Sequence, residues 1–242
     1  MAVCSFSERT YEFCYNAEFC DKYSGLLATY PTLPSQRQEK HLGYDVEFKI
    51  KNGNYHYSLL LQHKVSNFAS NRVGNNKHFY DAQDDSYFRF RVDTEQHNKM
   101  IDNSSMGDLF YCAPLFHTYR ELESKYKAKS IINSSVWIAP YNTRIVDKKS
   151  HNITYDSMGN NAYLHSKTKS LKVIKPESPN LMLTNREIDS KYIKKFAQLL
   201  EESLVKTKYK KLYTSDSNNK VRDIEKIQNI LGNIYRVSWV LI

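Results

Sequence analysis

Residues 43–65 read GYDVEFKIKNGNYHYSLLLQHKV. Asp45, Glu47 and Lys49 alternate with Val46, Phe48 and Ile50, the period of two that marks a strand with one buried face. Asn52-Gly53 suits a tight turn, because both residues tolerate the positive φ that a two-residue hairpin loop requires. Tyr55 to Val65 is then the return strand. With the turn at Asn52-Gly53, Asp45 is expected opposite Leu60, with Gln62 diagonal to it and within side-chain reach. Val46, Phe48 and Ile50 should share an apolar face with Tyr55, Tyr57, Leu59 and Leu61. The other face should carry Asp45, Gln62 and Lys64 close together.

That trio has a chemical use. A carboxylate with an amide oxygen suits a hard cation such as Mg²⁺, which keeps several of its waters. Such an ion supplies a nucleophilic water for phosphodiester hydrolysis. A nearby ammonium offsets the charge that builds on the phosphate oxygens. The residues resemble the signature of the PD-(D/E)xK restriction-endonuclease-like nuclease superfamily. That signature is an Asp at the start of one strand, then an apolar strand ending in (D/E/Q)-x-K. Here it would be Asp45, then Leu59-Leu60-Leu61-Gln62-His63-Lys64, the Q-x-K form of Mrr-type enzymes. Glu47-Phe48-Lys49 also spells E-x-K but lacks an apolar lead-in and ranks lower.

The resemblance implies an α/β fold, more fully an α+β mixed sheet, with a restriction-endonuclease-like αβββαβ core. It implies a metal-dependent deoxyribonuclease that hydrolyses DNA phosphodiester bonds in restriction or anti-phage defence. Asp45, Gln62, Lys64 and Glu18 would be catalytic. Asp45, Gln62 and Glu18 would hold Mg²⁺ or Mn²⁺, with Glu12 in reserve to Glu18. Gln96 would lie near the substrate phosphate. Gln62 stands where an acid is commoner, which removes one negative charge. That feature favours the alternative, a catalytically inactive nucleic-acid-binding or assembly subunit of a defence complex with the same fold.

Charge is uneven along the 242 residues. From Lys167 onward sixteen Lys and Arg stand against eight Asp and Glu, a net of +8, whereas the preceding part has a net of +1. A near-neutral core with a basic appendix fits binding to a phosphate backbone. Lys206, Lys208, Lys210 and Lys211 around Tyr209 and Tyr213 are the nucleic-acid-binding candidates, since basic residues interleaved with aromatics suit strand binding. DNA is the expected partner, together with a protein partner or a second copy of the chain. The scarcity of Gly, with no G-x-G, P-loop or G-x-S-x-G pattern, excludes Walker-type and Rossmann chemistry and a serine-hydrolase elbow. No apolar run approaches the ~18 residues of a membrane span. The N-terminus carries no basic stretch followed by an apolar one, so a cytoplasmic protein is expected. Cys4, Cys14, Cys20 and Cys112 form no C-x-x-C and are expected to be reduced.

The flanking sequence supplies the other elements. Residues 5–23 read as a helix capped by Ser5 or Ser7, with Glu8, Glu12 and Asn16 as its polar stripe and Glu18 on its aromatic side. Ser35 is placed to cap a short helical turn through Glu39. Residues 66–85 read as a loop and 87–92 as a third strand. A helix over 95–105 begins after Asp93 or Thr94. Strands are expected over 109–113 and 135–140, with a helix over 116–129 between them. Short strands are expected over 153–155 and 162–164, and helices over 188–206 and 221–231. The expected division is a nuclease core over 1–145 and a basic, helix-rich extension over 146–242.

Overall fold

The computed structural model describes residues 1–52, 55–70, 77–83, 86–104, 107–140, 144–147, 150–165 and 169–176. They belong to the first of the two units into which the chain divides, Met1–Pro179 and Asn180–Ile242. The expected helices over 188–206 and 221–231, and the four lysines from Lys206 to Lys211, lie outside the described residues.

The unit is mixed α+β. Helix α1 (Glu8–Lys22) starts where the Ser7 hydroxyl accepts the Thr10 N–H at 3.1 Å. It buries Tyr11, Tyr15 and Phe19, which recur at helical spacing. Helix α2 (Gln36–Leu42) opens on a reciprocal capping box between Ser35 and Gln38. The hairpin follows as β1 (Val46–Asn52) and β2 (Tyr55–His63). Residues 67–83, expected to be loop, contain the short strand β3 (Asn67–Ala69) and helix α3 (Lys77–Gln83). Then come β4 (Tyr87–Val92), α4 (Thr94–Asp102), β5 (Asp108–Pro114), α5 (Tyr119–Lys127), a 3-10 turn at Ile132–Ser134 and β6 (Ser135–Ile138). Strands β7 (His151–Asp156), β8 (Ala162–His165), β9 (Lys169–Leu171) and β10 (Val173–Ile174) follow position 145. They pair with β4 and β6, so the sheets run past that position.

Among the described residues, two five-stranded sheets result, ordered β1-β2-β5-β6-β10 and β3-β4-β7-β8-β9. The first is mixed, because β2 and β5 run parallel while its other pairs are antiparallel. The strand over 87–92 is not beside the hairpin but in the second sheet. Phe88, Phe90 and Val92 turn its apolar side to the core between the sheets, where they join Leu60, Tyr111, Ile138, Ile153 and Tyr155. Among the described residues, no helix is long and apolar enough to cross a membrane.

The hairpin keeps its expected side-chain parity but not its expected register. Asn52 pairs with Tyr55 and Val46 with Leu61, so the loop is centred one residue later than Asn52-Gly53. Every cross-strand pair therefore moves by two residues. Asp45 lies against the Gln62 end of β2, and its N–H donates to the Leu61 carbonyl at 2.9 Å. The face that carries the polar trio is covered as well. Leu60 lies between Ser58 and Gln62 on it and packs into the core between the sheets. The opposite face packs on α1, with the Phe19 and Phe48 rings 4.2 Å apart and Tyr11 and Tyr15 edge-on to His63.

Two local features aim the site. Gly43 ends α2 at φ +78°, and a Cβ there would meet the Met100 N at 2.8 Å and the Gln96 O at 3.0 Å. Only glycine allows both the left-handed turn and this approach to α4. The connector 26–32 runs along the free edge of β1, with bridges Leu27 to Ile50 and Thr32 to Glu47. It thereby covers an otherwise open strand edge and brings Pro31, with Pro34 just after it, towards Asp45.

Candidate functional site

The first turns of α1, α2 and α4 meet the open end of the hairpin. Each supplies a side chain: Glu8 from α1, Glu39 from α2 and Gln96 from α4. The Asp93 carboxylate caps α4 by accepting the Gln96 N–H at 2.9 Å, which fixes the backbone that carries Gln96.

Three of the expected site residues form one hydrogen-bonded line. Gln96 Nε2 donates to Gln62 Oε1 at 2.7 Å, and Gln62 Nε2 donates to Asp45 Oδ1 and Oδ2 at 2.9 and 2.7 Å. The His63 N–H donates to Asp45 Oδ2 at 2.6 Å. Gln62 is fully buried, so its amide has no water to turn to. Lys64, the fourth residue, donates from Nζ to Glu8 Oε1 at 3.2 Å and is close enough to act electrostatically on Asp45.

Glu18 is drawn elsewhere. Its two oxygens accept the N–H groups of Ile131 at 2.9 Å and Ile132 at 3.1 Å. Those donors open the 3-10 turn and have no partner within it, so a buried carboxylate on the inner side of α1 satisfies them. Glu12, one and a half turns earlier, lines a cavity together with Asp45. The acid that α1 brings to Asp45 is thus Glu12, the reserve, and Glu18 serves as a cap.

Electrostatics at the cluster are uneven. Burial alone would raise the Asp45 carboxyl, but His63 and Lys64 hold it below its ordinary value. His63 is fully buried, with Nδ1 3.7 Å from Asp45 Oδ2, an ion-pair separation rather than a hydrogen bond. Burial opposes the imidazolium, yet Asp45, with Cys112, pushes His63 up to about 10. Glu39 is pushed up to about 7, first by burial and then by the charge of Asp45. Burial raises Glu12 too, with Asp45 and Glu8 adding to the effect and His63 and Arg9 opposing it. One carboxylate thus holds its charge while two neighbours resist theirs.

Glu39 and His63 are the residues that sequence reasoning undervalued. Glu39 sits in a capped first turn just before the hairpin, and only the Gly43 turn reveals that it folds back towards Asp45. His63 occupies the variable position of Q-x-K and lies among aromatic rings of α1.

The cavity beside the cluster measures about 640 Å³ and is lined from α1 by Glu8, Arg9, Glu12, Phe13, Asn16, Ala17 and Cys20. Pro31, Leu33, Pro34, Glu39 and Asp45 form the rest of its wall.

Among the described residues, no three His, Cys, Asp or Glu side chains converge as a ready metal cage. Mg²⁺ does not demand one, since it is commonly held by one or two carboxylates, water and substrate phosphate. The oxygens of Asp45 have lone pairs beyond those used by Gln62 and His63. The donor chemistry of Asp45, with Glu12 or Glu39, fits such an ion. No protein-family model, curated protein or solved structure matches the chain.

Proposed function

We propose that the chain is a metal-dependent nuclease that hydrolyses DNA phosphodiester bonds at Asp45, in line with its resemblance to the PD-(D/E)xK superfamily. The observation that carries this reading is the line Gln96–Gln62–Asp45, which runs beside Lys64 to a cavity that also holds Glu12 and Glu39. Asp45 and one of the two glutamates would hold Mg²⁺ or Mn²⁺. The ion would supply positive charge for the phosphate and a bound water more acidic than bulk water. Gln62, clamped by Gln96, orients Asp45. Lys64 places an ammonium where charge develops on the phosphate oxygens, and Glu8 restrains that ammonium. Glu39, with its raised pKa, is poised to exchange a proton near neutrality.

The amide of Gln62 favours a second reading. It donates to both oxygens of Asp45 and so satisfies the carboxylate without a cation. A chain built that way is a nucleic-acid-binding or assembly subunit with no chemistry of its own.

Incubating supercoiled plasmid with the purified protein separates the two. Nicking that requires Mg²⁺ or Mn²⁺, stops with EDTA and is lost in Asp45→Asn is the expected result. Intact plasmid, with retarded migration of the protein–DNA complex, assigns the binding role instead. Cutting that continues in EDTA rejects the metal-dependent mechanism.

A further inference from the structure

We infer that the cavity beside Asp45 receives an unpaired nucleobase, so that the substrate strand is single-stranded or frayed where it enters. This rests on the hydrolytic reading for the position of the phosphate, but not for the chemistry of the cavity.

Two stripes of α1 face the cavity. Glu8, Glu12 and Asn16 form the polar stripe, and Phe13, Ala17 and Cys20 the apolar one. Leu33 and the prolines at 31 and 34 close the apolar side. At about 640 Å³ the space falls within the ~300–1,000 Å³ usual for small-molecule sites. Phe13 also lines the cavity and leaves 69% of its surface exposed, so its ring can stack on a flat ligand. Asn16 is only 9% exposed, and its Oδ1 has no hydrogen-bond partner among the described residues. Asn16 lines the cavity, so a modest turn of its side chain would bring this open acceptor to a ligand's N–H.

A nucleobase meets each of these demands. It is flat and neutral, so it can stack on Phe13 without being repelled by the carboxylates. The exocyclic amine of adenine, cytosine or guanine offers the N–H that Asn16 Oδ1 lacks. The nucleotide's phosphate would remain outside the apolar stripe, towards Asp45 and Lys64. A base can reach such a pocket only when it is out of the duplex stack.

The test uses neutral nucleosides in EDTA, where neither cation nor cleavage contributes. Ligand-detected NMR titration of the full chain compares deoxyadenosine with purine deoxyriboside, which has the same ring without the amine. Deoxyadenosine should bind about tenfold more tightly. Asn16→Leu should reduce that ratio to about one, and Phe13→Ala, at an exposed position, should weaken both ligands about fivefold or more. A single-stranded oligodeoxyadenylate should displace the nucleoside, and the same sequence held in a duplex should not. Equal binding of the two nucleosides to the wild type, or a Phe13→Ala variant that binds as the wild type does, overturns the inference. Nucleoside binding that the single strand cannot displace makes this a free-nucleotide site and overturns the strand reading. Base binding without plasmid cutting keeps the pocket and removes the hydrolytic reading. Cutting without base selectivity does the reverse.

Discussion

The buried amide nitrogen of Gln62 donates to both oxygens of Asp45, at 2.9 and 2.7 Å, and its oxygen accepts from Gln96 Nε2 at 2.7 Å. The amide therefore reports which way the site is biased. On the hydrolytic reading, an amide facing Asp45 nitrogen-first stands where a cation would sit. Turned over, its oxygen would become a ligand and Gln96 would have to let go.

Gln62→Glu should shift that balance. The new carboxylate loses the donor bonds to Asp45 and adds a like charge, so without metal the protein should be less stable by about 1–3 kcal/mol. A divalent ion should restore much of the loss by binding the folded state alone. Thermal unfolding of both proteins in EDTA and in millimolar Mg²⁺ checks this. An identical Mg²⁺ response in variant and wild type would mean that position 62 does not face the ion.

Asp45→Asn should discharge His63. In the wild type the imidazole is pushed up to about 10 against its burial, by Asp45 together with Cys112. A raised histidine stabilises the fold fully below its ordinary value of 6.5, and that contribution fades as pH rises through about 10. Without the carboxylate the burial remains and the charge partner is gone. The His63 pKa should fall towards or below 6.5, read from its imidazole carbon shifts. A His63 that still titrates near 10 in the variant would mean that Asp45 is not its counter-charge.

Glu39→Gln should change the pH dependence of stability. Burial and Asp45 raise this carboxyl from 4.5 to about 7, so the folded state binds a proton more readily than the unfolded one. Its contribution is complete below pH 4.5 and is lost as pH rises through about 7. The variant should keep a flatter unfolding midpoint across that window and be the more stable protein at pH 8. Parallel curves for the two proteins would exclude a raised Glu39.

How far the sequence disclosed this arrangement depends on the kind of information needed. Alternation in Val46–Ile50 determined side-chain parity, because a strand has a period of two whatever its neighbours are. It left the register open. Asn52, Gly53 and Asn54 all tolerate a tight turn, so composition does not choose between two loop centres a residue apart. The stripe Glu8, Glu12, Asn16 was visible on a helical wheel, yet the wheel does not say which neighbour it faces. Glu18 stood out as an acid among aromatics, but its partners are backbone N–H groups more than a hundred residues away, which no local pattern encodes. The same holds for β4. Its amphipathic pattern was plain, whereas its membership of the second sheet depends on pairing with β7.

Glu18→Ala should therefore cost stability and leave the site alone. Two backbone N–H groups lose a charged acceptor in a buried place, which costs about 1–3 kcal/mol. The unfolding midpoint should drop while the His63 titration and any metal-dependent cleavage stay as in the wild type. Lost cleavage in a folded Glu18→Ala protein would return this residue to the active cluster.

Lys64→Ala and Glu8→Gln together separate a catalytic ammonium from a structural ion pair. Lys64 Nζ lies 3.2 Å from Glu8 Oε1, with 13% of the lysine side chain and 41% of the glutamate side chain exposed. With its glutamate end open to water the pair contributes little, so either change should leave the fold intact by circular dichroism. One ammonium among 35 basic side chains also adds little to overall attraction for DNA. At the phosphate the two variants part. Lys64→Ala removes the charge that would meet the developing oxyanion, and such losses typically reduce rate about 10²–10³-fold. Glu8→Gln breaks the same ion pair yet leaves the ammonium in place, so its rate should stay within a few-fold of the wild type. Raised Mn²⁺ should partly rescue Asp45→Ala, whose defect is in holding the ion, and should not rescue Lys64→Ala. Cleavage rates and DNA affinities of the three variants decide the matter. Equal losses in Lys64→Ala and Glu8→Gln would reduce the lysine to a strut between β2 and α1, and wild-type cutting by a folded Lys64→Ala protein would remove it from the mechanism.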